Sequence, residues 1–443
     1  MAEETDSPPL VVILGCTGTG KSKLAIEIAK EIDGEIISAD SIQVYKGLDI
    51  ITNKVTSNEQ AVIPHYMINI VEPSEQFSVV QFKAKALPII DDIIERQKVP
   101  IIIGGTNYYI ESLLWQNLIE EETQTSKVST NSQEVENRPQ KKDELVQVFT
   151  ENKSENVSLC KHNDEMDPSP DPLYQKLIEI DPAMARKHHP NDTRKIKRSL
   201  QVFEHSGVTH SELITRQQVQ QGATTYGGPM RFQNVCVLWL QCDLNILDER
   251  LDARVDTMIE QGLVKELVEF HNSWKSGSAK QKLLNTFGIF QSIGFKEFRE
   301  FLESENPLVQ VNSDLFDKCV DSMKRATRRY ARKQIKWVTN RFLGRPSTCA
   351  PDVYCLDATD LERWQLCVLE KGLNIVHNFM SGEEILEQSL ERIDSNVASK
   401  HSRYICSVCN KRTIIGDKNW SVHLRSRSHR HYQKKAKRNE MKT

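Results

Sequence analysis

The sequence predicts an α/β protein built on a parallel sheet, and three observations carry that prediction. Short apolar runs alternate with amphipathic helical patterns through the first 115 residues. A glycine-rich turn follows the first run without a break. A further apolar run returns near residue 235 and leads directly into another helical pattern.

Taken in order, residues 10–14, 35–38, 66–71 and 100–103 read as buried strands. Helices are expected over 21–32, 78–97 and 107–115. Residues 235–240 rejoin the sheet, with a helix over 245–261. The core therefore comes in two parts, 8–118 and 231–357. Between them, residues 119–170 are acidic and poor in large apolar side chains, which predicts a poorly ordered insert. Residues 171–230 turn helical again and read as an inserted subdomain. Residues 322–342 form a basic helix, with eight Lys and Arg and no acid between 324 and 341. A helical linker over 358–399 leads to a small module at 400–435.

Charge is distributed unevenly. The net charge is −3, yet residues 400–443 carry +11 and the rest −14. An acidic body with a basic tail points to a polyanionic partner. No run reaches about 18 apolar residues, so no membrane span is expected. The start, MAEETDSPPLVVIL, lacks both the basic region of a secretory signal and an Arg-rich transit face. A cytoplasmic protein is expected, with a mitochondrial or nuclear pool left open. Eight of the ten cysteines are scattered singly, as reduced thiols are; Cys406 and Cys409 form a CxxC in the basic tail.

Gly15-Cys16-Thr17-Gly18-Thr19-Gly20-Lys21-Ser22 fits GxxxxGK[ST] between a strand and a helix. In that setting backbone N–H groups and the helix N-terminus cradle two linked phosphates. Lys21 adds a point charge, and the Ser22 hydroxyl suits Mg²⁺. The motif predicts a diphosphate ligand without specifying ATP. Asp40 ends the next apolar run, 19 residues beyond Lys21 and beside Ser41, Ile42 and Gln43. It reads as a metal-binding strand-end acid, as a base for an exocyclic amine with Ser41 and Gln43 reading a base edge, or as part of an ordinary polar loop. Arg254 reads locally as a surface partner of Asp252 or Asp256. Cys406-x2-Cys409-x13-His423-x5-His429 has the spacing of a Cys₂His₂ zinc site, with His431 near enough to compete for the last position.

Seven blocks then resemble one family, the tRNA dimethylallyltransferases of animal type. They are GCTGTGKS (15–22), SADSIQVYKGLDIITNKV (38–55), IIIGGTNYYIESLLW (101–115), DPAMARKHHPNDTRKIKRSLQVF (181–203), LDARVDTMIEQGL (251–263), FQSIGFKEF (290–298) and RRYARKQIKW (328–337). The resemblance implies a P-loop NTPase-like parallel-sheet core, an inserted, mostly helical subdomain and a small C-terminal Cys₂His₂ finger of matrin-like spacing. It implies transfer of a dimethylallyl group from dimethylallyl diphosphate to N6 of adenosine 37, beside the tRNA anticodon, and preference for flanking adenosines.

Carried over by motif, the 15–22 loop binds diphosphate with Mg²⁺ near Ser22, and Asp40 is the general base. Thr17 and Arg254 stabilise the leaving group, and Thr106 lines the reaction channel. Asp40, Ser41, Ile42 and Gln43 are implied to hold the flipped adenine. Arg194, Lys195, Lys197 and Arg198, with Arg328, Arg329, Arg332 and Lys333, are implied to grip anticodon-arm phosphates. A monomer is the family default. Cys16 departs from the usual Pro or Ala, which raises an expectation of oxidation sensitivity. Two other readings stay open: prenylation of free adenine nucleotides, and a nucleic-acid-binding protein with a vestigial P-loop.

Overall fold

A computed structural model describes residues 7–116, 171–220, 222–224, 227–275, 287–304, 307–309, 313–393 and 402–440. The expected acidic insert at 119–170 lies outside the described residues, which divide into two compact units. Among the described residues, those within 7–116 and 217–393 form the first unit, and those within 171–216 and 402–440 the second.

The first unit is built on six parallel strands: β1 (Leu10–Gly15), β2 (Gly34–Ser38), β3 (His65–Tyr66), β4 (Val99–Ile103), β5 (Val235–Gln241) and β6 (Val353–Asp357). Their order is β3-β2-β4-β1-β5-β6. β1, β2 and β4 are buried along their whole length, as strands covered on both faces must be. Successive side chains point to opposite faces. Val11 and Ile13 therefore join Ile101 and Leu238 against α1 (Lys21–Glu31). Leu10, Val12 and Leu14 join Ile102 and Val237 against α2 (Val79–Glu95) and α3 (Asn107–Leu114).

Two local expectations change. Residues 66–71 do not continue as a strand, because Met67 (φ 65°) and Asn69 (φ 56°) leave the extended region. β6 was not anticipated: its half-buried Tyr354 and Cys355 blur any alternation or continuous apolar run. Among the described residues no helix is long and apolar enough to cross a membrane.

The second unit opens with α4 (Pro172–Ile180), α5 (Pro182–Lys187) and α6 (Thr193–Ser206). Asp171, Asp181 and Asp192 cap them, each accepting a backbone N–H of the first turn, worth about 1 kcal/mol apiece. Tyr174, Leu177, Ala185, Ile196 and Leu200 make their core. The same unit holds the hairpin β7 (Arg403–Cys406) and β8 (Arg412–Ile415). Two hydrogen bonds link hairpin to helices: His189 Nε2 to the Thr413 carbonyl (3.1 Å) and Arg403 to the Tyr174 hydroxyl (3.1 Å).

Back in the first unit, α7 (Leu244–Glu260) follows β5, and α8 (Asp314–Trp337) is the basic helix. α8 starts eight residues before the expected 322, because Ser313 caps it by accepting Phe316 N–H. An aromatic cluster of Phe290, Phe295, Phe298, Phe301 and Phe316 packs the 290–302 segment onto Tyr45 and Leu48. That packing stations residues 291–297 on the wall of the site.

Candidate active site

Parallel strands deliver their C-terminal ends to one edge of the sheet, where ligands bind. β1 brings the 15–22 loop, β2 brings Asp40, and β4 brings the Gly104-Gly105-Thr106 turn. Beside them lies a cavity of about 600 Å³ whose lining includes Thr17, Asp40, Ser41, Ile42 and Arg254.

The loop is held from within. Thr19 Oγ1 and Lys21 Nζ both donate to the Cys16 carbonyl, at 2.9 and 2.7 Å. Gly20 sits at φ 88°, and a Cβ there would lie 2.5 Å from the Trp364 ring, so both backbone and space demand glycine. Arg254 does not seek a carboxylate of its own helix. Its guanidinium donates to Thr17 Oγ1, which places a cation on the loop. Gly15, Gly18 and Ser22 complete the turn into α1.

Burial pushes the Lys21 ammonium down to about 8, with Arg254 adding to the effect and Cys16 and Asp40 opposing it. Burial also lowers Arg254, and Asp40 partly restores it. A prediction follows with a definite sign. Lys21 carries its charge below about pH 8 and loses it above, so anion binding weakens as pH rises through 8. KM for a diphosphate substrate should climb past pH 8 while kcat at saturation stays flat, because the bound anion restores the charge. A KM that is level from pH 7 to 9.5 would contradict this. The Cys16 thiol behaves oppositely: it is buried, and burial pushes it up to about 11. It stays protonated at neutral pH, which argues against the expected oxidation sensitivity.

Asp40 Oδ1 accepts the Ile42 and Gln43 N–H groups at 2.9 and 3.3 Å, a turn that fixes the carboxylate on the cavity wall. Ser41 and Ile42 line the cavity with it. Gln43 and Thr106 are not among the lining residues. The Gln43 amide is spent on the Thr52 and Asn53 carbonyls (3.1 and 3.0 Å), and its oxygen accepts from Ser38 Oγ (2.9 Å). Thr106 Oγ1 accepts the Ser41 N–H at 3.0 Å and donates to Ser41 Oγ at 3.2 Å. Both therefore brace the Asp40 turn.

Three faces of α8 serve different ends. Lys324, Arg328 and Arg332, four residues apart, pair with Asp256, Asp252 and Asp248 of α7 in antiparallel order. Each such half-exposed pair contributes only about 0.2–1 kcal/mol, but the ladder neutralises a helix that would otherwise repel itself. Arg328 and Arg332 are thus engaged by carboxylates. Arg329, Tyr330 and Lys333 line the cavity, and among the described residues Arg329 and Lys333 have no carboxylate partner. The third face carries Gln334, considered below. Arg194, Lys195, Lys197 and Arg198 lie on α6 of the second unit, with Lys195 paired to Asp192 at 2.8 Å.

The second unit also holds a candidate metal centre. Ligand atoms of Cys406, Cys409, His423 and His429 all lie within 4.8 Å of one another, and all four residues are buried. His429 Nδ1 is 3.5 and 3.4 Å from the two sulfurs and 3.2 Å from His423 Nε2. These three separations match edges of a tetrahedron with metal–ligand bonds of about 2.3 Å to sulfur and about 2.0 Å to nitrogen. Four electron-pair donors this close repel unless a cation sits among them. His431 is exposed and outside the group.

A glycine-rich loop carrying its own cations beside a fixed carboxylate is the arrangement expected of an enzyme that moves a group off a phosphate-bearing donor. The chain belongs to the IPP transferase family, whose model matches residues 43–341, and the Isopentenyl transferase model matches 8–68. It is 44% identical to the tRNA dimethylallyltransferases of Mus musculus and Homo sapiens, covering 97% of this chain and 87% of each relative. The Saccharomyces cerevisiae tRNA dimethylallyltransferase is 31% identical, over 96% of this chain and 92% of the relative. A solved eukaryotic dimethylallyltransferase acting on tRNA superposes with a TM-score of 0.75 at 30% identity, covering 98% of both chains.

Proposed function

We propose that this protein transfers a dimethylallyl group from dimethylallyl diphosphate to N6 of adenosine 37 in tRNA, releasing diphosphate. The observation that carries the reading is one cavity wall bearing both Asp40 and the Thr17–Arg254 pair. Transfer needs a base at the acceptor amine, where the C–N bond forms, and cations at the diphosphate, where the C–O bond breaks, one on each side of the carbon that moves.

Loop N–H groups and Lys21 hold the diphosphate, and Arg254 with Thr17 meets the negative charge that grows on it as the allylic C–O bond breaks. The adenine amine is a weak nucleophile because its lone pair is conjugated with the ring. Asp40 accepts the N6 proton as the new C–N bond forms. Ile51, Val255, Met258 and Met323 supply an apolar wall for the dimethylallyl chain. Ser22 and the diphosphate oxygens offer hard oxygen donors suited to Mg²⁺, which would add positive charge to the leaving group. Zn²⁺ fits the Cys₂His₂ tetrahedron. Arg329 and Lys333 at the cavity, and the exposed Arg427, Arg430, Lys434 and Lys435 of the tail, suit tRNA phosphates. We take the working form to be a monomer.

The test is incubation with labelled dimethylallyl diphosphate and Mg²⁺, offering either tRNA or AMP. Label in tRNA alone is the expected result. Label in AMP would move the protein to free-nucleotide prenylation, and no transfer would leave a binding protein with a vestigial loop.

A further inference from the structure

Gln334 lies on the α8 face that neither pairs with α7 nor bears the cationic side chains of the cavity. It is 4% exposed, and both ends of its amide are used. Oε1 accepts the Thr17 backbone N–H at 2.9 Å, and Nε2 donates to the Gly105 carbonyl at 2.9 Å. Thr17 belongs to the phosphate loop and carries the Arg254 contact. Gly105 belongs to the turn whose next residue, Thr106, braces the Asp40 loop. One amide thus joins the leaving-group side of the site to the general-base side.

The surroundings are shaped to this bond pattern. A Cβ on Gly105 would lie 2.4 Å from Gln334 Nε2, so glycine there is what lets the amide in. Asn107 Nδ2 donates to the Gln334 backbone carbonyl at 3.1 Å, and Tyr330, one helical turn earlier, donates its hydroxyl to the same Gly105 carbonyl at 3.3 Å.

We propose that Gln334 is a positioning residue for transfer, setting the span between the diphosphate loop and the Asp40 turn. The proposal rests on the transfer reading above. Asp40 and the loop sit on separate strands and would each keep their own substrate contacts without Gln334. Their mutual distance would not be kept. Misplacing reacting groups by about 1 Å can cost about 10²-fold in rate without a matching loss of binding.

The experiment measures transfer to tRNA by wild type, Gln334→Met and Gln334→Asn, together with thermal unfolding and amide hydrogen exchange at Thr17. Met removes both hydrogen bonds, and Asn keeps the amide but is one methylene too short for both. Both variants should lose about 10²-fold in kcat per folded molecule, with KM for each substrate within about threefold of wild type. The Thr17 amide should exchange slowly in wild type and fast in Gln334→Met. Full rescue by Asn, or loss confined to KM or to the folded fraction, would overturn the proposal. If Met does not fold, Asn and the wild-type Thr17 exchange decide, and an unprotected Thr17 amide counts against it. Wild type that transfers nothing defeats the transfer reading itself, whereas active wild type matched by both variants defeats only the role of Gln334.

Discussion

Replacing Asp40 by Asn should lower transfer at saturating substrates by about 10²–10⁴-fold, the usual worth of a positioned general base. The substitution is nearly isosteric. Its remaining oxygen still accepts the Ile42 and Gln43 N–H groups, so the turn keeps its shape. What disappears is the charge and the capacity to take the N6 proton. tRNA affinity should stay close to wild type. A second effect separates this residue from a purely structural one. Asp40 raises both Lys21 and Arg254, so removing its charge lets Lys21 lose its proton at a lower pH. The rise in diphosphate KM should therefore begin below pH 8 in the variant. Wild-type turnover in Asp40→Asn would exclude Asp40 as the base.

With Zn²⁺ proposed at Cys406, Cys409, His423 and His429, chelation or Cys409→Ala should unfold the C-terminal module and spare the chemistry. Its core is small: Cys406, Cys409 and Ile414 are buried, and Tyr404 stacks on Trp420 with centroids 5.0 Å apart. So little apolar area cannot offset the ordering of some forty residues, whereas a structural zinc contributes about 10–16 kcal/mol in small fingers. Loss of the module takes with it the bonds from Thr413 and Arg403 to the helical part of the second unit. It also disorders the cationic helix Arg427–Glu440. Charge-assisted contacts are worth about 1.5–3 kcal/mol each, so if this helix makes two of the proposed tRNA contacts, their loss raises KM for tRNA by about 10²–10⁴-fold. Every cavity-lining residue belongs to the first unit, so kcat at saturating tRNA should be unchanged. A collapse of kcat after chelation would mean that the module takes part in the reaction.

How legible each feature was follows from the range of the interactions behind it. The glycine-rich loop and the Cys406, Cys409, His423 cluster are each written within a short stretch of chain, so spacing alone exposes them, whereas spacing left Asp40 with three readings and His429 in competition with His431. Arg254 was misread locally because Asp252 and Asp256 flank it, and nothing nearby says that α8 will claim those acids. Gln43 and Thr106 have side chains fit for reading a base, and only the neighbours they meet show them bracing a turn. Gln334 was passed over because an uncharged residue in a basic helix carries no local signal; its partners lie 317 and 229 residues away.

By itself the sequence determined the α/β class, the glycine-rich turn after the first strand, the acid that follows it and the Cys₂His₂ cluster of the tail. These depend on local backbone geometry and on the period of apolar residues, which neighbouring residues specify. Tertiary structure alone decided which charges face the cavity and which cancel, and what spans the two sides of the site. Those outcomes depend on parallel strands and a returning helix bringing distant groups within hydrogen-bonding reach. A side chain's role there is set by the partner it meets, and no window of sequence contains both.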